Sequence, residues 1–102
     1  MTYADYKLRK AVLALSEARG CYRDWLKGGE LYHFARLPEI KVPREVRKQY
    51  SEFQAEILKL QTKYHVSSLI VPADKLVNDE VMRLAALFER ICTAWPGNQS
   101  PH

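Results

Sequence analysis

"VRKQYSEFQAEILKLQTKY", residues 46–64, carries Val46, Tyr50, Phe53, Ile57, Leu60 and Tyr64 at successive steps of 4, 3, 4, 3 and 4. An α-helix turns once every 3.6 residues, so these six side chains line one seam. Such a seam is the pattern of helices packed nearly parallel to each other. Arg47, Gln54 and Gln61 on one flank, and Gln49, Glu56 and Lys63 on the other, predict solvated sides. Pro43 suits the first helical position, so a helix is predicted over residues 43–64 with Val42 as its N-cap.

The same rhythm returns further along the chain. Val77, Val81, Leu84, Phe88, Ile91 and Trp95 again step by 4, 3, 4, 3 and 4, with Ala85, Leu87, Cys92 and Ala94 widening the stripe. This predicts a helix over residues 74–95, stopped by Pro96-Gly97 and supported by Lys75–Asp79 and Asp79–Arg83 pairs.

Upstream, "TYADYKLRKAVLALSEARGCYRDWLKGG", residues 2–29, opens with a capping-box pattern, Thr2 and Asp5. One apolar row runs Ala4, Leu8, Ala11, Leu15, Ala18, Tyr22 and Trp25. A second runs Leu8, Val12, Leu15, Arg19, Tyr22 and Leu26. Together they predict one continuous helix, ended by Gly28-Gly29, with an apolar face wider than a single partner helix covers. Arg23 and Lys27 then fall near its C-terminus, where the helix dipole favours cations.

Between the long segments, Leu31, Phe34 and Leu37 share one face of a short helix or turn ending before Pro38. In residues 65–75, Val66, Leu69, Ile70 and Val71 predict a tight connection tucked against the bundle end, with Ser67 or Ser68 as a cap and a short strand as the alternative. The three long helices are of similar length, about 33–39 Å at 1.5 Å per residue. The expected fold is therefore all-α: an antiparallel three-helix bundle with a short extra helix or turn between helices 1 and 2. Residues 1–96 form a single domain, and residues 97–102 a flexible tail.

Composition narrows the function. The chain has 102 residues, 47% hydrophobic and 27% charged, which suits a globular domain and argues against disorder. Cys21 and Cys92 have no partnering pattern, as expected of buried, unreactive thiols in a reduced cytoplasmic protein. Neither a signal-peptide pattern nor a membrane-spanning apolar run is present. His33, His65 and His102 are isolated, and no phosphate loop, zinc spacing or nucleophile motif occurs. Glu30 precedes His33 by three, but a metal site of that kind needs a second copy. Glu52 and Glu56 sit one turn apart and are expected on a solvated face. No catalytic, cofactor or metal residues are assigned, and the expected class is non-enzymatic.

Charge supplies the one local anomaly. The formal net charge is +4, with 13 Lys/Arg against 8 Asp/Glu in residues 1–65 and 3 against 4 in the rest. Lys41, Arg44, Arg47 and Lys48 crowd the predicted start of the helix over 43–64, where the dipole is already positive. Uncapped N–H groups and these cations outline an anion site, which Arg36 joins if the preceding loop folds back. An exposed basic helix end with no ligand is the simpler alternative, since Glu45 offsets part of the field. The leading expectation is a protein-interaction or adaptor module, a homo-oligomer or a partner-binding bundle. The alternative is a nucleic-acid-binding accessory protein, or one taking another anionic partner, using the five basic residues.

Overall fold

Five α-helices, and no strand, make up the described part of the computed structural model, which covers residues 2–66 and 71–96. They are α1 (Tyr3–Glu17), α2 (Tyr22–Lys27), α3 (Glu30–Ala35), α4 (Arg47–Lys63) and α5 (Asn78–Ala94). Two 3₁₀ turns, Glu39–Lys41 and Arg44–Val46, lead from α3 into α4. The suggested cap at Ser67 or Ser68, the alternative strand through Leu69 and Ile70, and the tail over 97–102 lie outside the described residues. The radius of gyration, 13.1 Å, matches the roughly 13 Å expected of a compact chain of this length.

The two seams meet as the spacing predicts. Val46, Tyr50, Phe53, Ile57 and Leu60 of one are buried, and so are Val81, Leu84, Phe88, Ile91 and Trp95 of the other. Polar pairs beside the seam fix the direction of packing. Lys63 meets Glu80 at 2.6 Å, Arg83 meets Glu56 at 3.1 Å, and Arg90 meets Glu52 at 3.7 Å. Numbers falling on α4 while rising on α5 make the two helices antiparallel.

Phe88 is the centre of the core. Its ring packs edge-on against Trp25 at 4.8 Å and Phe34 at 5.9 Å, and it meets Phe53 at 6.0 Å. Phe34 in turn packs on Tyr50 at 5.3 Å and Trp95 at 5.9 Å. Aromatic pairs in such geometry contribute roughly 0.5–1.5 kcal/mol each beyond the area they bury. Leu31, Phe34 and Leu37 share the buried face expected of them.

The expected continuous first helix is two helices. Arg19 (φ 57°) and Gly20 (φ 77°) are both left-handed, and the Gly20 N–H donates to Leu15 O at 3.2 Å. A glycine at that position carries no Cβ penalty, so it ends α1 where the apolar rows run on unbroken. The turn redirects the chain so that Trp25 enters the core, and its indole N–H donates to Ala11 O at 3.0 Å. As a result α1 packs chiefly on α3.

Several smaller expectations change for related reasons. Helix α5 starts at Asn78 rather than residue 74, since residues 73–75 form a turn after Pro72, and Val77 is its exposed N-cap. Cys21, expected buried, is exposed because it follows the turn that breaks the first helix, while Cys92 is half-buried. Glu56 and Gln61, expected on solvated flanks, are buried. Arg23 stands in the first turn of α2, not at a helix C-terminus. It donates to Ala73 O, to Leu76 O at 2.8 Å and to Asn78 Oδ1 at 3.0 Å.

Candidate functional site

The start of α4 differs from the helix end outlined by the sequence. Pro43 is extended (ψ 140°) and precedes a 3₁₀ turn, so the α-helix begins at Arg47 with Val46 as N-cap. That turn uses backbone donors the outline left free: Val46 N–H reaches Pro43 O at 3.0 Å, and Arg47 N–H reaches Arg44 O. Arg47 has a structural task of its own. Its Nε donates to Val42 O at 3.0 Å and its Nη2 to Ile40 O at 3.1 Å, pinning the connecting loop onto α4.

Lys41, Arg44 and Lys48 are exposed, and among the described residues none of them makes an ion pair. Arg36 caps the C-terminus of α3. It lines a shallow pocket with Gln54, Leu58 and Gln61, down the side of α4 rather than at its start.

Tertiary contacts give this basic group a wider setting. Trp95 at the end of α5 donates to Asp5 at the start of α1, and Tyr50 near the start of α4 donates to Phe34 O and Leu37 O at 2.8 Å. The starts of α1 and α4 and the ends of α3 and α5 therefore share one half of the molecule. Around the start of α4 stand Lys41, Arg44, Arg47 and Lys48, with the carboxylates Glu39 and Glu45 on the two 3₁₀ turns beside them.

The second feature is the outward side of α1. Ala4, Leu8 and Ala11 bury one face. On the opposite side, Tyr6 and Leu13 are 46% and 53% exposed, and Val12, one turn on from Leu8, is 44% exposed. Leu8, Arg9, Val12, Leu13 and Ser16 form, with Cys92 of α5, an open groove of about 540 Å³. Burial pushes the Cys92 thiol up to about 11, which holds it neutral and poorly nucleophilic at physiological pH. Lys7 lies over the rings of Tyr3 and Tyr6 at 5.2 and 5.7 Å, a cation–π arrangement at the start of this face.

Tyr3 and Tyr6, which the apolar rows leave unplaced, are thus surface residues, whereas Tyr32 is buried with its hydroxyl donating to Leu26 O at 2.7 Å. Leu13 belongs to neither apolar row, and that is the signal available for it in the sequence. An apolar residue opposite a helix's buried seam has nothing to pack on within a small bundle. Among the described residues, no cluster of three or more His, Cys, Asp or Glu side chains is arranged to hold a metal, and no helix is long and apolar enough to cross a membrane. No family model, curated protein or solved structure matches the chain.

Proposed function

We propose that this chain is a non-enzymatic protein-interaction module that self-associates through the outward side of α1. In this reading the antiparallel pair α4 and α5 is the frame, and α3 carries α1 against it, leaving the outward side of α1 uncovered. The observation that carries it is the exposure of Tyr6, Val12 and Leu13 beside the groove to Cys92. Single exposed apolar residues are ordinary, but a cluster along one helix, rimmed by Arg9 and Ser16, has the composition of a helix–helix contact. Neither Cys21 nor Cys92 is in a disulfide, which accords with a cytoplasmic setting.

An NMR dilution series tests this. Amide resonances of residues 6–17 are expected to shift between micromolar and millimolar protein, while those on the outer side of α4 stay fixed. Concentration-independent α1 resonances count against it.

A second reading has its own support. The exposure of Lys41, Arg44 and Lys48 around the start of α4, without ion pairs among the described residues, suits a nucleic acid or another polyanion, with Arg36 and Arg47 adding to the surrounding charge. Binding to a labelled oligonucleotide would weaken steeply with salt and fall in a Lys41→Glu, Arg44→Glu, Lys48→Glu variant. No binding at low salt would remove this reading.

A further inference from the structure

Arg9, Leu13 and Glu17 stand at i, i+4 and i+8 on α1 and form one exposed row, with the apolar residue flanked by opposite charges. Arg9 and Glu17 are separated by about 12 Å along the axis, too far to pair with each other. Among the described residues neither has an ion-pair partner.

We infer that the occupant of this face is a second copy of the chain, docked antiparallel across a two-fold axis through Leu13. The inference rests on the self-association proposed above. A two-fold axis at the middle of a row maps each end of the row onto the other end. Leu13 then meets its own copy, and Arg9 stands at the height of Glu17 of the partner copy, twice per dimer. Such an isologous contact needs a self-complementary patch, and a charge–apolar–opposite-charge row is one. Packing along i±4 rows is the commonest way two helices cross. The antiparallel order also sets each positive helix start beside the other's negative end. Tyr6 lies on the same side of the helix and widens the apolar contact.

The contact is tested by charge exchange in the full chain, with mass measured by light scattering and fold by circular dichroism. Arg9→Glu and Glu17→Arg are each expected to weaken dimerisation about tenfold or more, since each sets like charges opposite one another twice. The double variant Arg9→Glu/Glu17→Arg is expected to recover to within a few-fold of wild type. In a Cys21→Ser background, Leu13→Cys is expected to give a disulfide-linked dimer on mild oxidation, faster than Val77→Cys on the exposed N-cap of α5.

A wild-type dimer unmoved by either single exchange and unlinked through position 13 would overturn the two-fold register while leaving self-association standing. A double variant no better than the singles would likewise overturn the pairing. A wild-type chain that stays monomeric would overturn the self-association on which both rest.

Discussion

The indole N–H of Trp95 donates to Asp5 Oδ1 at 2.6 Å, across 90 residues of sequence. The other oxygen of Asp5 accepts the Thr2 backbone N–H at 3.0 Å, and Asp5's own N–H donates to Thr2 Oγ1 at 3.1 Å. One carboxylate thus caps α1 and fastens the end of α5 to it.

The backbone bond from Thr2, and then the indole of Trp95, hold the Asp5 carboxyl below its ordinary value. Asp5→Ala removes the cap and the acceptor of a largely buried indole, and is expected to cost about 1–3 kcal/mol. Trp95→Phe tests the same bond, though it also shrinks a core side chain. A double-mutant cycle in urea should give a coupling of about 0.5 kcal/mol or more between the two sites.

Acid should weaken the joint between α4 and α5. Glu80 accepts hydrogen bonds from Lys63 at 2.6 Å, Tyr64 at 2.6 Å and the Val77 N–H at 2.9 Å. Led by Lys63, these bring its carboxyl down from 4.5 to about 2. A carboxyl depressed by folding adds stability above its unfolded value, and that stability fades as pH falls toward the folded one. Melting temperature should therefore drop between about pH 4.5 and 2, and Glu80→Gln should flatten that part of the curve. At neutral pH the variant should melt several degrees lower, at about 4–8 °C per kcal/mol lost.

Arg23 joins α2 to the turn ahead of α5 through three acceptors, two of them backbone carbonyls. Arg23→Lys keeps the charge but not the planar fork. Both Arg23→Lys and Arg23→Ala are expected to speed amide hydrogen exchange across residues 73–78. Arg23→Ala should cost about 1–3 kcal/mol if those carbonyls lose their partner. Unchanged exchange in Arg23→Ala would mean that the turn holds without it.

Tyr50 is fully buried, and its hydroxyl lies 2.8 Å from both Phe34 O and Leu37 O, which share its one proton. Tyr50→Phe preserves the ring packing on Phe34 and removes the hydroxyl, while Phe34 O keeps the Leu37 N–H and Leu37 O keeps the Gln54 amide. A loss of about 0.5–1.5 kcal/mol in chemical denaturation is expected, with the far-ultraviolet spectrum unchanged.

Much of the architecture was legible from periodicity alone. The seams from Val46 and Val81 onward bury as spaced, because a 4-3 rhythm over five or six members has few other uses. The break at Arg19-Gly20 was hidden because Leu15, Tyr22 and Trp25 keep the helical period across it, and one glycine weighs little against three apolar residues. Arg47 looked like part of an anion site because its acceptors, Ile40 O and Val42 O, come within reach only once the loop folds into 3₁₀ turns. Glu56 looked solvated because its partner Arg83 is 27 residues away. The outward row of α1 is not legible in the sequence, since a charged–apolar–charged spacing gains meaning only when the opposite face is known to be buried.

Sedimentation equilibrium of the untagged chain, run from low micromolar to the highest attainable concentration, tests self-association most directly. The weight-average mass should climb from 11.9 kDa toward twice that value, and Leu13→Lys should hold it at the lower figure. A wild-type mass fixed at that of one chain throughout would contradict the proposal that α1 is where this protein meets its copy.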